Sequence, residues 1–484
     1  MLEKTFHIMT FGCQMNVNDS DWLRRSLLGL GFAEAPFAEA RVHILNTCSV
    51  REKPENKVYT ELGRIRLLAR EFPERDLIAC VGGCVAQQLG EKLFARSREL
   101  KLVFGTDGIA HAPAAIALLA ENSRRQISLL NFTGDYTERA RPIHPVHPIQ
   151  PVRPDYPAHP ESQAARSSGP SAAIPPVAYV NIMQGCNNFC TYCIVPLVRG
   201  REKSRQPGAV LEECRDLVRG GARELTLLGQ NVNSYEYGFV PLLYRVAEIP
   251  GLRRLRFITP HPKDVPAELV RAFAELEVLS PRLHLPLQSG SDRVLARMNR
   301  KYDLARYLEL VRGLRAARPD IQLSTDIIVG FPGESEEDFA ATLSAMRAAD
   351  FAASFSFAYS DRPGAAASKF TDKVPHQVGL ARLALLQDWQ NANSARILQS
   401  LVGTEAEVLI EGQSLLPARP GAGPGEGSNG GPDGESPLMG LHGRDAYGFS
   451  VNIPLPPGRA PQPGELVKVK INGAGRHTLK GSLA

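Results

Sequence analysis

Seven prolines recur at every third position of this chain: Pro142, Pro145, Pro148, Pro151, Pro154, Pro157 and Pro160. Neither a helix interior nor a central strand accepts such a run, because each proline fixes its own φ and removes an amide donor. The period of three is that of a polyproline II helix, which has no internal hydrogen bonds and builds no core. Residues 136–176 therefore read as a semi-rigid spacer, whose proline half spans roughly 55–60 Å if straight at about 3.1 Å per residue. His144, His147 and His159 inside it read as solvated linker histidines. A chain of 484 residues exceeds what one core usually supports, so separate domains are expected on either side.

Residues 1–135 alternate short apolar runs, FHIMT, VHILN, LIACV and KLVFG, with helix-like stretches such as Asp19–Leu30 and Pro54–Glu71. That alternation predicts parallel strands in a small Rossmann-like α/β layer. Residues 177–396 repeat the pattern six times, with strands at VAYVNIM, ELTLLGQ, LRFITP, LHLPLQ, LSTDIIVG and FSFAYS. Six β/α units suit a partial (β/α)6 barrel of TIM type, with functional residues at the carboxyl ends of the strands. Residues 397–484 read as a small β-barrel built from EAEVLIEG, AYGFSVNIP and ELVKVKING, interrupted by a Gly/Pro-rich insertion at 413–440. The fold class expected is α/β multidomain.

A net charge of +5 and a pI near 8.7 permit a nucleic-acid partner without demanding one. The start, MLEKTFHIMTFGC, lacks the features of a secretory signal, and no apolar run approaches a membrane span, so a cytoplasmic protein is expected. In that compartment the eight cysteines point to metal or catalysis before disulfides.

Three of them lie on one short loop after a predicted strand, Gln184-Gly-Cys-Asn-Asn-Phe-Cys-Thr-Tyr-Cys193, with the spacing C-x3-C-x2-C. A structural zinc loop would need a fourth ligand, and no further Cys or His lies nearby. Cys13, Cys48 and Cys84 are distant in sequence, yet each directly follows a predicted parallel strand. Strand ends of a parallel sheet share one edge, so these three thiols can converge on a second site. Gly12, Asn16, Asn46, Gly83 and Gln87 stand beside them as residues of ligand-bearing turns, against the simpler reading of buried core thiols. Cys80, inside its strand, and Cys214, in a helical stretch, read as packing residues.

The C-x3-C-x2-C loop closely resembles that of the radical S-adenosylmethionine (SAM) superfamily. The resemblance implies a [4Fe-4S] cluster on Cys186, Cys190 and Cys193, whose free iron chelates SAM and passes it one electron to give a 5′-deoxyadenosyl radical. Tyr192 is then the aromatic next to the adenine, and Gln288, Ser289, Gly330, Pro332, Gly333 and Glu334 are candidate SAM contacts at later strand ends. With the second cysteine set, the chain resembles the radical SAM methylthiotransferases. The nearest branch is the MiaB type, on the strings Thr10-Phe-Gly-Cys-Gln-Met-Asn-Val-Asn-Asp-Ser20, Arg199-Gly-Arg-Glu-Lys-Ser-Arg205, Gly229-Gln-Asn-Val-Asn-Ser-Tyr235, His261-Pro-Lys-Asp264 and Tyr359-Ser-Asp-Arg-Pro-Gly364. This likeness implies a second [4Fe-4S] cluster on Cys13, Cys48 and Cys84, a TRAM-like RNA-binding barrel at the C-terminus, and methylthiolation of C2 of N6-isopentenyladenosine beside the tRNA anticodon. It also implies two uses of SAM, as methyl donor and as radical source, a flavodoxin- or ferredoxin-type electron donor, a sulfur source, and a monomer.

For RNA phosphates the expected contacts are Arg199, Arg201, Lys203 and Arg205, read as a basic loop, with Lys468 and Lys470 in the terminal domain. Asp361 and Arg362 read either as pocket residues or as an ion pair. The alternatives are a methylthiotransferase for threonylcarbamoyladenosine in tRNA or for a ribosomal-protein aspartate, and a non-catalytic iron–sulfur sensor that binds RNA.

Overall fold

The computed structural model describes residues 3–49, 54–139, 174–416, 438–456, 458 and 460–484. The proline repeat with its histidines and most of the Gly/Pro-rich insertion lie outside these residues.

The first α/β unit runs β1 (Thr5–Thr10), α1 (Gln14–Gly29), β2 (Ala33–Glu34), β3 (Val42–Thr47), α2 (Pro54–Glu71), β4 (Ile78–Gly83), α3 (Cys84–Leu89), β5 (Leu100–Phe104), α4 (Ala112–Glu121) and β6 (Ile127–Leu129). Its sheet is parallel throughout, in the order β2-β1-β3-β4-β5-β6. Every residue of β3 and β4 is buried, as expected of central parallel strands covered on both faces. One face packs Phe6, Ile44 and Phe104 against Leu23, Leu27 and Ile116; the other packs Leu45, Val81 and Val103 against Val58, Leu62 and Ile65. Each such side chain contributes about 1.5–3 kcal/mol when fully removed from water. The helix expected from Asp19 starts earlier, at Gln14, because Cys13 takes the extended N-cap position at the end of the strand turn.

The second unit contains β7 (Val177–Asn181), β8 (Met183–Gln184), α5 (Val195–Val198), β9 (Lys203–Ser204), α6 (Pro207–Arg219), β10 (Glu224–Leu228), α7 (Phe239–Ala247), β11 (Arg254–Phe257), α8 (Ala267–Glu275), β12 (Arg282–His284), α9 (Asp292–Arg297), α10 (Leu304–Ala317), β13 (Gln322–Val329), α11 (Glu336–Ala349), β14 (Ala353–Ala358) and α12 (His376–Ser400). The six long strands fall in two parallel sets, β7-β10-β11 and β12-β13-β14, around one apolar core. This is the partial barrel that the strand count implied. The short β8–β9 ladder was not foreseen, and α12 continues past Arg396, where the helical pattern was expected to end.

The third unit is a closed barrel of β15 (Glu405–Leu416), β16 (Leu438–Arg444), β17 (Ser450–Pro454), β18 (Leu466–Ala474) and β19 (Thr478–Leu483), in the order β15-β16-β17-β19-β18. The sequence reading lacked β16 and β19, whose glycines interrupt the strand pattern. The insertion is narrower than 413–440, since Leu415 pairs with Met439 and Leu416 with Leu438.

This small barrel docks on the amino-terminal ends of the parallel strands. Arg254, at the start of β11, donates to the carbonyls of Arg444 (2.8 Å) and Glu407 (2.6 Å), and Arg282, at the start of β12, donates to that of Tyr447 (2.9 Å). Burial among other cations lowers Arg282 to about 10. The cysteine loops lie at the opposite, carboxyl end. Among the described residues no helix is long and apolar enough to cross a membrane.

Candidate active site

Cys13, Cys48 and Cys84 follow β1, β3 and β4, which are adjacent in the sheet, so the fold delivers three thiols to one edge. Cys48 hydrogen-bonds with both others, which holds Cys13 and Cys84 down at about 6 while Cys48 itself is raised. The turns around them are tightly specified. Gly12 has φ +128°, and a Cβ there would overlap Cys48. Cys13 Sγ donates to Asn16 Oδ1 (3.4 Å); Asn16 Nδ2 donates to Asn46 Oδ1 (3.0 Å) and to the Thr47 carbonyl (3.0 Å); both asparagines are fully buried. Gln87 serves elsewhere, donating to the Leu130 carbonyl at 2.8 Å.

Cys186, Cys190 and Cys193 sit on the loop that follows β7 and β8, all half-buried. The loop is clasped from the segment after α9: Thr191 bonds the carbonyls of Met298 and Arg297, and Asn299 Nδ2 donates to those of Asn188 (3.3 Å) and Phe189 (3.0 Å). Each sulfur meets one nitrogen donor: Asn188 Nδ2 at Cys186 (3.5 Å), Arg300 Nη1 at Cys190 (3.4 Å) and the Val195 amide at Cys193 (3.5 Å). Such donors suit metal-bound thiolates and tune an iron–sulfur site. Burial pushes Cys193 up to about 12 and raises Cys186 as well, so both stay protonated by themselves and would lose the proton only to a bound metal. No group of three or more His, Cys, Asp or Glu among the described residues is arranged to hold a single metal ion. The fit of both sites to iron–sulfur clusters rests on their thiol-only donor sets.

Arg300 was not anticipated, and Met-Asn-Arg-Lys carries no signal for it. Its guanidinium also reaches Tyr192 Oη (3.4 Å) and the Pro286 carbonyl (3.0 Å). Tyr192 packs with Val294, Met298 and Phe331. Gln288 adopts φ +75°, rare outside glycine, with its backbone bridged to β13 and no side-chain partner among the described residues. Strain of this kind concentrates where a ligand is gripped. His261 lies against Tyr302, ring centroids 5.7 Å apart, and burial, then Arg300, drives it down to about 2, so it is neutral.

The other expected SAM contacts are held in place by their surroundings. Glu334 is ion-paired with Arg382 (2.7 Å) and accepts from the Gly330 amide (3.0 Å), so it braces its own turn. Pro332 and Gly333 are likewise engaged, by Arg297 Nε (3.2 Å) and by the Asp372 carbonyl (2.7 Å), and Gly330 lies against Gly379 of α12. Ser289 faces Thr342 Oγ1 at 3.3 Å. Asp361 pairs with Lys373 (2.5 Å), an arrangement neither earlier reading contained.

The basic segment is not an exposed loop. Arg199, Lys203 and Arg205 are only 4%, 7% and 7% exposed. Lys203 is ion-paired with Asp107, which also accepts from Gln184. Arg205 holds Glu138 (2.9 Å) and Glu213 (2.6 Å). Arg199 projects toward the Cys13, Cys48 and Cys84 thiols. Lys203 and Arg205 are buried and neutralised and Arg199 is buried, so none of the three is open to a phosphate in this structure; Arg201 is exposed, over the Phe189 ring at 4.4 Å. Lys468 and Lys470 are also exposed, across the ladder from Glu407 and Glu405. Glu138 and Arg139, the latter 2.7 Å from Asp19, tie down the start of the segment read as spacer.

Residues 180–346 match the Radical SAM superfamily, and residues 5–105 match Uncharacterized protein family UPF0004. A radical S-adenosylmethionine methyltransferase, TsrM, from Kitasatospora setae shares the fold at a TM-score of 0.53 and 15% identity, over 76% of this chain and 74% of its own. Curated proteins named tRNA-2-methylthio-N(6)-dimethylallyladenosine synthase are similar over nearly the full length. Those of Nitratidesulfovibrio vulgaris (strain Hildenborough) and Oleidesulfovibrio alaskensis are each 51% identical, over 99% and 100% of this chain and 98% and 99% of theirs. That of Lawsonia intracellularis is 44% identical over 99% of this chain and 98% of its own. With one three-cysteine loop on a partial barrel and a second three-cysteine edge on the sheet before it, the chain belongs to the family of tRNA-2-methylthio-N(6)-dimethylallyladenosine synthases within the radical SAM superfamily.

Proposed function

We propose that the chain adds a methylthio group to C2 of N6-isopentenyladenosine in tRNA, using SAM both as methyl donor and as radical source. The observation that carries this reading is the segment from Cys193 to Arg199. Only five residues lie between a ligand of the barrel site, Cys193, and a side chain at the sheet-edge site, Arg199, a reach of between ~9 Å if helical and ~20 Å if extended. Two thiol sites that close can serve one substrate. Cys186, Cys190 and Cys193 would hold one [4Fe-4S] cluster, and Cys13, Cys48 and Cys84 the other. With three protein ligands each, such groups keep an open position, supplying one-electron chemistry to SAM in the barrel and a docking point for sulfur at the sheet edge.

The chain's own groups orient the reactants. Gln288 presents a free carboxamide for SAM, Tyr192 gives an apolar wall, and Arg300 fixes Cys190 and Tyr192 together. Neutral His261 brings no acidic proton to the barrel mouth, which suits a C–H that ordinary base catalysis cannot open. Lys468, Lys470 and Arg201 are the exposed cations for phosphate. The domain division 1–135, 177–396 and 397–484, a flavodoxin- or ferredoxin-type electron donor, a separate sulfur source, a monomeric state and a cytoplasmic location, where tRNA is found, complete the reading.

The test is mass spectrometry of nucleosides from isopentenyladenosine-containing tRNA after incubation with anaerobically reconstituted protein, SAM and a reductant. A methylthiolated product that disappears with Cys190→Ala is expected. Formation of 5′-deoxyadenosine without that product would overturn the substrate.

A further inference from the structure

Arg199 is supplied by the barrel unit, yet it ends among the cysteines of the first α/β unit. It caps α5; Ile194, just before that helix, and Val198 pack on Cys84, and the Val198 carbonyl accepts from Thr106 Oγ1 at 3.0 Å. The ionisable groups that surround its guanidinium are Cys84, Asp19, Cys13 and Cys48. Asp19 is already paired with Arg139 at 2.7 Å, which leaves the thiols as the partners that Arg199 has to itself. Its Nη2 is buried with no hydrogen-bond partner. A guanidinium nitrogen left unpaired inside a protein is unfavourable unless something anionic meets it.

We propose that Arg199 is a positioning residue that completes the Cys13, Cys48 and Cys84 site across the domain boundary, its guanidinium providing the buried positive charge that an anionic iron–sulfur group there requires. This rests on the reading of those cysteines as cluster ligands. Reduction adds a negative charge, so a neighbouring buried cation raises the midpoint potential.

The experiment uses the full chain carrying Cys186→Ala, Cys190→Ala and Cys193→Ala, in which only the sheet-edge site can load. Iron content and an EPR-monitored redox titration are compared for Arg199, R199K and R199Q. R199Q is expected to keep its iron with a lowered midpoint potential, and R199K to stay near the parent. An R199Q potential equal to the parent's overturns the proposal while leaving the cluster reading intact. Should R199Q not load, a loaded R199K at the parent potential supports the role of charge, and an R199K that also fails to load overturns it. Absence of iron when Arg199 is intact overturns the cluster reading, and the proposal with it.

Discussion

Cys186, Cys190 and Cys193 lie within one loop, whereas Cys13, Cys48 and Cys84 come from three different strand ends, and the two sites are stabilised in opposite ways. The loop carries all three of its cysteines but has no regular structure, so other elements must clasp it, through Asn299, Arg300 and Thr191. At the sheet edge the parallel ladder sets the spacing of the thiols, yet the edge is open on one side, and the neighbouring unit closes it with Ile194, Val198 and Arg199. Thiols gathered on one loop need support from outside; thiols dispersed over strand ends need a cover.

The strongest test of that contrast separates the sites by product. Cys190→Ala should remove both 5′-deoxyadenosine and the methylthiolated nucleoside, while Cys48→Ala should still form 5′-deoxyadenosine and lose only the nucleoside, followed by chromatography of both. Loss of 5′-deoxyadenosine in both variants would mean that the sites do not act separately. Next in size is the lock between the units. Lys203→Met leaves buried Asp107 without its cation, and breaking such a pair costs about 3–5 kcal/mol. Thermal unfolding should show this, Asp107→Asn added to Lys203→Met should recover part of it, and the sheet-edge site should lose iron before the loop does. Equal iron loss from both would break the comparison.

A smaller effect is expected from Gly12→Ala, which forces a strained φ of +128° and a clash with Cys48, together roughly 2–3 kcal/mol. Iron analysis should place the defect at the sheet edge alone. Smallest is Cys214→Ala, in the barrel core, at about 1 kcal/mol by denaturant titration with iron content unchanged. A drop in iron there would show that the two sets do not account for all the ligands.

The contrast also explains what the sequence made legible. The dispersed cysteines could be grouped because period and polarity revealed β1, β3 and β4 as buried parallel strands, and parallel strands end on one edge. Three cysteines on one loop stand out by their spacing. What stayed hidden depends on partners far along the chain. Lys203 and Arg205 look like a phosphate-binding pair until Asp107 and Glu138 are brought against them. Glu334 looks like a ligand contact until α12 folds back with Arg382. Arg300 follows a helix with nothing to mark it, and β16 and β19 are paired by barrel closure more than by their own pattern.

The placement of Arg199 also has a consequence in time. Cys13, Cys48 and Cys84 leave the ribosome long before it, for Arg199 follows Cys84 by more than one hundred residues. Domains tend to fold in the order in which they are made, so the first unit can bring its three thiols together while their cover is still being synthesised. Until the second unit docks, that edge is uncovered, so an iron–sulfur group held there would have to enter before Ile194, Val198 and Arg199 close over it.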